Sequence, residues 1–253
     1  MTELPRAATV VLARPSASTL GLEVLLLRRT RAASFMPSAW VFPGGRIDDA
    51  DHQGLVSEGL VARPAVCAAE CGVDVATVRL ALAAGVRETR EEAAIELDTV
   101  LGTDAPAFLL SRWVTPSAES RRFDTLVFLA RVPAATVARE DRTETVEHRW
   151  VQPSLAVSES ARGRLLLMPP TLRTLEELAI VRSAEDLDGW LAARSAGWVV
   201  PKLELAPSRT AILLPWHPRY RVTAGEGTPC AVAPRGWLPS AAFELTDGHW
   251  SSV

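Results

Sequence analysis

The run Arg87-Glu88-Thr89-Arg90-Glu91-Glu92 sets three carboxylates within five consecutive positions. On a helix, at about 100° per residue, Glu88 and Glu92 stand about 40° apart on one face, with Ala81 and Gly85 N-terminal on the same side. Glu91 lies on a neighbouring ridge with Arg87, an i,i+4 pair that orients its carboxylate. Carboxylates this close repel one another unless a cation compensates. A hard divalent ion such as Mg2+ prefers oxygen donors and meets that demand. An ordinary solvated helix face laced by i,i+4 salt bridges has the same composition, so the run alone does not decide between the two.

A second motif lies upstream. Pro43-Gly44-Gly45 stops the short apolar run 39–42 (AWVF). A double glycine lets the backbone turn tightly and leaves its carbonyls and N–H groups open to a metal or phosphate, although a plain turn after a strand reads the same way. Several elements must bring the two motifs together. Residues 7–14 (AATVVLAR) and 22–29 (LEVLLLRR) read as two strands joined by a turn, and 39–42 as a third. The polar stretch 46–64 reads as loop. From 74 to 97 the pattern is helical, with Leu82, Val86, Thr89 and Ala93 as the core-facing stripe. That stripe stands at least about 80° from the carboxylates, which are therefore expected to point away from the hydrophobic interior. Strands follow at 108–114, 123–131 and 144–151, then helices at 171–182 and 184–194, and a proline-rich tail from Trp198. Strands flanking an acidic helix, with further helices after them, predict an α+β or layered α/β/α arrangement.

Composition narrows the function. The 253 residues are 48% hydrophobic and 23% charged, the balance of a soluble globular protein. A net charge of -3 gives no general attraction for nucleic acid, so an anionic ligand must be held by local basic groups or a metal. No apolar run approaches the roughly 20 residues that cross a bilayer, and no membrane partner is expected. The start MTELPRAATVVLARPS contains Glu3 and lacks a long apolar core, so it does not read as a signal peptide. Cys67, Cys71 and Cys230 read as packing thiols, since Cys67 and Cys71 have no second ligand pair nearby. These features fit a cytoplasmic protein.

Together the glycine turn and the acidic helix resemble the Nudix hydrolase family, whose signature is G-x5-E-x7-R-E-U-x-E-E-x-G-U with U apolar. Gly45 is followed after five residues by Asp51; Arg87, Glu88, Glu91 and Glu92 match the central block, and Ile95 the last apolar position. Four departures stand out. Asp51 replaces Glu, Thr89 replaces an apolar residue, Ala94 replaces the final glycine, and 35 residues (52–86) separate Asp51 from Arg87 where the pattern has seven. The branch related to peroxisomal coenzyme A diphosphatases carries an insertion at this place. The chain is similar to that branch in Leu25-Leu26-Leu27-Arg28-Arg29, Phe35-Met36-Pro37, Trp40-Val41-Phe42-Pro43-Gly44-Gly45 and Asp48. The similarity continues in Trp113-Val114-Thr115-Pro116, Arg122-Phe123-Asp124-Thr125, the Glu144/Glu147/Trp150 spacing and Pro169-Pro170-Thr171.

The resemblance implies an α/β/α sandwich of the Nudix type over residues 1–160, with an inserted segment at about 52–73 lying as loop and short helix outside the core. Residues 161–253 would form a helical C-terminal extension packed on the same domain. It also implies that Glu88, Glu91, Glu92 and the Gly45 carbonyl hold Mg2+ or Mn2+, that Gly44 and Gly45 approach the substrate, and that Arg87 orients the carboxylates. Asp51 would support Arg87 or the metal's water, and Glu144, with Glu147 as second choice, would complete the site. Arg28, Arg29, Arg121 and Arg122 are candidates for the anionic ends of a small-molecule diphosphate, because guanidinium groups bind phosphate bidentately. Phe35, Trp40 and Trp113 are candidates for stacking on a base, with hydrophobic core the competing role for Trp40. The implied activity is Mg2+-dependent hydrolysis of a nucleoside diphosphate linked to another group, with coenzyme A or acyl-coenzyme A leading and ADP-ribose or a dinucleotide as alternatives. A homodimer is left open. A non-catalytic nucleotide sensor that binds DNA is the other class; residues 171–205 hold four basic and six acidic side chains, which suits DNA poorly.

Overall fold

The computed structural model describes all residues except 1–3, 17–20, 34–35, 55, 57, 103–104, 208 and 223–228. Phe35 therefore lies outside the described residues. Strands β1 (Arg6–Pro15) and β2 (Leu22–Arg29) pair antiparallel as expected, and β2 pairs antiparallel with β3 (Trp40–Val41). Gly44–Arg46 is a strand, β4, rather than a turn; it pairs antiparallel with β1. Helices α1 (Pro64–Cys71) and α2 (Val75–Ala93) follow, then strands β5 (Phe108–Val114), β6 (Asp124–Arg131) and β7 (Thr145–Val151). Next come α3 (Pro153–Ala161), α4 (Pro169–Leu178), α5 (Asp186–Ala193) and the short strand β8 (Trp198–Val199). Helix α4 starts two residues earlier than its apolar periodicity suggested, because proline is favoured in the first turn, where its missing N–H costs no hydrogen bond.

The mixed sheet runs in the order β3-β2-β1-β6-β5-β8, with β4 paired to β1 and β7 to β2. Its centre is the parallel pair β1–β6. Both faces are covered, so the central strands are apolar at consecutive positions. Ala8, Val10, Leu12, Leu25 and Leu27 pack with α1 and α2 on one face. Val11, Ala13, Val24 and Leu26 pack with α3, α4 and α5 on the other. This is an α+β fold of layered α/β/α form.

Helix α2 can lie close on β1 because Gly85 has no side chain: a Cβ there would come within 2.6 Å of Val10 Cγ2. The approaching element is thus a strand. Thr89 sits in the core stripe with 0% exposure, and its hydroxyl is satisfied by donating to the Gly85 carbonyl at 2.7 Å. At the helix start, Asp74 accepts from the Thr77 N–H at 2.6 Å.

The inserted segment corrects one expectation. It is not outside the core: Val61, Cys67, Ala68 and Cys71 are buried in the same cluster as Leu82 and Val10. The segment is fastened by Ala62 N–H to Ala107 O and Ala107 N–H to Leu60 O, both 2.8 Å. Arg112 grips the C-terminal carbonyls of α1, donating to Cys71 O at 3.0 Å and Gly72 O at 3.2 Å while pairing bidentately with Asp124 at 2.7 Å. The cysteines are ordinary buried thiols at 67 and 71, and burial raises the pKa of both.

The extension after residue 161 is helical only in part, which is a second correction. Strand β8 joins the main sheet beside β5. Beyond it, β9 (Lys202–Ala206), β10 (Arg209–Leu213), β11 (Ala242–Thr246) and β12 (His249–Ser252) form a separate antiparallel sheet. Asp247 and Gly248 both take positive φ in the β11–β12 turn, and an Asp-Gly pair between short apolar runs is the hairpin signal that marks it. The extension carries buried charges as well as apolar contacts. Glu177 and Arg194, each 4% exposed at the side chain, pair at 2.9 Å, and Arg173 reaches Ser240 Oγ and O at 2.8 Å.

Ala94, which stands where the family signature has glycine, caps α2 with φ 54 in the left-handed region. A Cβ costs roughly 1 kcal/mol there. Ala94→Gly is expected to raise Tm by roughly 2–4 °C. A thermal melt showing no rise, or a fall, refutes the strain at this cap.

Candidate active site

The site forms where α2 crosses β4. A Cβ on Gly45 would overlap the Glu88 carboxylate as it now lies, and one on Gly44 would overlap the Ala8 carbonyl of β1. The Gly44 N–H donates to Glu92 Oε2 at 2.9 Å. Gly45 and Glu88 therefore meet despite the long separation in sequence. Glu92 differs from expectation: it is only 4% exposed, buried against β4 rather than pointing away from the interior. The helix lies close enough that even the edge of its apolar stripe is covered by the sheet.

Arg87 is the hub. Its Nε and Nη2 donate to Asp51 at 2.9 and 3.1 Å, its Nη1 to Glu88 at 2.9 Å and Glu91 at 3.0 Å, and its Nη2 to the Arg46 carbonyl at 3.0 Å. Asp51 sits in a one-turn 3-10 helix (Asp49–His52) and also accepts from the Asp48 N–H at 2.8 Å. Its partner is Arg87. Burial works to raise the Asp51 pKa, but the Arg87 and Asp48 hydrogen bonds outweigh it and hold the carboxyl below its usual value. The Asp51 bond is the main reason the Arg87 guanidinium is raised.

Glu88 and Glu92 are pushed the other way. Burial raises Glu92 to about 8, helped by repulsion from Glu88 and Glu144 and opposed by the Gly44 N–H and Arg29. Burial also raises Glu88, against the pull of Arg87 and with repulsion from Glu91 and Glu144. The charge of Glu144 thus reaches both helix carboxylates. Glu147 is engaged elsewhere, with Arg28 at 3.3 Å and Arg149 at 2.8 Å.

The four arginine candidates divide. Arg29 is felt at Glu92, so it lies on the α2 side of β2. Arg28, next along the strand, follows Leu26 to the opposite face, where it meets Glu147. Arg121 lies 5.6 Å from the Phe123 ring and Arg122 donates to the Thr115 carbonyl at 3.0 Å, both at the β5–β6 turn. Trp40 and Trp113 are buried in the core behind the sheet, 3% and 4% exposed, which removes them as stacking platforms. Asp141 was missed in the sequence, where nothing separates it from neighbouring surface charge; it accepts the Glu144 and Thr145 N–H groups at 2.9 and 2.8 Å.

Among the described residues no three His, Cys, Asp or Glu side chains stand ready as a metal cage, because Arg87 draws Glu88 and Glu91 toward itself. The donor chemistry nonetheless fits a hard divalent ion. The donors are carboxylates and backbone oxygen, and two of the carboxyls are disfavoured as anions without a cation nearby. This gives a stability prediction. The native state keeps the Glu92 proton up to a pKa of about 8, above the unfolded value of 4.5, so stability is full below pH 4.5 and declines as pH rises through about 8. Without divalent cations Tm should fall across that range, the fall should be smaller in Glu92→Gln, and Mg2+ should stabilise more at the alkaline end. Identical pH profiles for the wild type and Glu92→Gln in EDTA would contradict the buried-acid assignment.

No family model matches the chain. It is 30% identical over 167 residues to a putative nudix hydrolase 7 of Caenorhabditis elegans, covering 63% of this chain and 56% of that one. It is 24% identical over 252 residues to the acyl-coenzyme A diphosphatase NUDT19 of Xenopus laevis, covering 70% and 65%. The chain thus spans less than two thirds of the length of these curated relatives. Among solved structures, a NUDIX hydrolase from Alicyclobacillus acidocaldarius superposes with a TM-score of 0.60 at 26% identity, over 73% of this chain and 95% of that one. With the glycine strand, the Arg87 hub and the acidic helix in one site, these likenesses agree: the chain is similar to Nudix hydrolases in sequence and in fold.

Proposed function

We propose that this chain hydrolyses a diphosphate within a nucleotide-containing small molecule, using Mg2+ or Mn2+ held by Glu88, Glu91, Glu92 and the Gly45 carbonyl. The observation that carries the reading is the pair of carboxylates packed against the glycine strand: Glu92, only 4% exposed, accepts from the Gly44 N–H at 2.9 Å, and Glu88 lies against Gly45. Such a pair weakens the fold unless a divalent cation joins it. When bound, the ion screens phosphoryl charge and makes water more acidic at neutral pH. Arg87 keeps Glu88 and Glu91 oriented without touching substrate. Glu144 takes a proton from the water that attacks phosphorus as the bridging P–O bond breaks. Arg29 is the first choice for a phosphoryl oxygen, because its charge reaches Glu92. Arg121 and Arg122 are left for the outer anionic ends of a longer substrate, whereas Arg28 faces the other side of the sheet and pairs with Glu147.

Coenzyme A or an acyl-coenzyme A leads as substrate. The support is the run of shared motifs from Leu25 to Thr171 and the relative named as an acyl-coenzyme A diphosphatase. ADP-ribose and dinucleotides carry the same scissile group and form the comparison set. A hydrolysis screen with Mg2+ over these compounds, with products identified by mass, tests the reading. Release of 4'-phosphopantetheine and 3',5'-ADP supports coenzyme A; negligible coenzyme A turnover beside rapid ADP-ribose cleavage removes that substrate and leaves the chemistry. Glu92→Gln and Glu88→Gln are each expected to lower turnover on the order of 100-fold or more while remaining folded. If both variants hydrolyse the best substrate at the wild-type rate, the metal-site assignment is wrong.

A further inference from the structure

We infer that Asp141 is a positioning residue: its carboxylate brackets the backbone that carries Glu144 and so fixes Glu144 within reach of the Glu88/Glu92 pair. The inference rests on the proposed proton-accepting role of Glu144 and adds the group that holds it. Asp141 accepts hydrogen bonds from the Glu144 N–H at 2.9 Å, the Thr145 N–H at 2.8 Å, the Thr145 hydroxyl at 2.8 Å and the Thr143 hydroxyl. A carboxylate with four donors from three successive residues has little freedom, and neither has the turn around it. Burial opposes the charge, but these bonds outweigh it and hold Asp141 down to about 2, so the bracket is ionised wherever the enzyme works.

The surrounding geometry shows why such a bracket is needed. The pairing of β7 with β2 slips between Arg28 and Arg29: Glu147 faces Arg28, Thr145 faces Arg29, and Val146 is the extra residue, 46% exposed. A bulge re-aims the chain beyond it and interrupts the regular ladder at Val146. Arg142, between Asp141 and Glu144, takes the left-handed φ of 64 that a non-glycine residue adopts only when held. On the other side, the Glu144 carbonyl accepts from the Thr30 N–H at 2.9 Å, and Thr145, fully buried, brings its hydroxyl to 3.4 Å from the Glu92 carbonyl. The single Thr145 proton goes to the closer and charged partner, Asp141. The bracket therefore joins the Glu144 turn to the sheet at β2 and packs it against the last turns of α2. Glu144 itself is exposed and near the end of an irregular segment, where an unsupported carboxylate would sample many positions.

A double-mutant cycle tests this, using the best substrate of the screen with kcat and KM measured separately. Glu144→Gln is expected to lower kcat on the order of 100-fold with KM little changed. Asp141→Ala should lower kcat about 10-fold or more, again with little effect on KM, because a misplaced base costs turnover rather than binding. The double variant should be no slower than Glu144→Gln alone, since once the base is gone its bracket has nothing left to position. Asp141→Asn, which keeps one acceptor oxygen, should fall between Asp141→Ala and the wild type. It also supplies the cycle if the alanine variant does not fold. Mn2+ binding followed by electron paramagnetic resonance should be unchanged in the Asp141 variants and weakened in Glu92→Gln. Multiplicative losses in the double variant, a fully active Asp141→Ala, or Asp141 variants that lose Mn2+ binding would each overturn the inference. A fully active Glu144→Gln beside an inactive Glu92→Gln would remove the role of Glu144, and Asp141's with it, while sparing the metal site. Absence of turnover of every diphosphate would instead refute the proposed function.

Discussion

The close crossing of α2 over β1 and β4 is the constraint on which the site depends. Gly85 lets the helix settle on Val10, Gly45 lets β4 pass against the Glu88 carboxylate, and Gly44 lets β4 lie close on β1. A methyl group on Gly85 would press on Val10, one on Gly44 would overlap the Ala8 carbonyl and part β4 from β1, and one on Gly45 would displace the Glu88 carboxylate. The Gly44 N–H could then no longer satisfy Glu92, and the Gly45 carbonyl would move away from the carboxylates it is proposed to join. The apolar packing of α2 with Leu12, Leu27 and Phe128 supplies the force that presses the two elements together. Function follows from the absence of side chains at the few points where that force would otherwise be resisted.

The crossing brings acidic side chains into a partly buried space, and the chain handles them in two ways. Arg87 takes Asp51, Glu88 and Glu91 in one fan of hydrogen bonds, fixing their orientation at the cost of one guanidinium. Shortening the usual Glu to Asp at position 51 is tolerated because the 3-10 turn from Asp49 to His52 carries the carboxylate to Arg87. Among the described residues Glu92 meets a backbone N–H and the charge of Arg29, and burial outweighs both and raises its pKa. Stability and the proposed chemistry pull in opposite directions at that residue, as expected where a site is built to receive a cation.

The opposite face of the sheet solves a different problem. Helices α3 to α5 close it, and the extension adds strand β8 to the same sheet, so the β1–β6 centre is sealed on both sides. The buried Glu177–Arg194 pair joins α4 to the end of α5, and Arg173 with Ser240 joins α4 to the segment before β11. Ionic groups this deep contribute little net stability, but an arrangement that separated them would leave charges uncompensated. They disfavour misdocking of the extension more than they strengthen its contact.

Much of this could be read from the residues, because the signals were local. The helix at Val75–Ala93 follows from its apolar spacing, the strands from their Val and Leu runs, and the carboxylate face from the 3.6-residue repeat of the α-helix. The Arg87–Glu91 pairing needed only i,i+4 geometry. What the tertiary structure decided depended on contacts far apart in the chain. Burial of Glu92 comes from a strand 48 residues away, and the inserted segment's place in the core comes from its docking beside Ala107. The separation of Arg28 from Arg29 needed the sheet's two faces, and the engagement of Glu147 with Arg28 and Arg149 needed the pairing of β7 with β2. Sequence spacing sets which side chains share a face of one element; which faces meet, and how dry the space between them becomes, is settled only when the elements pack.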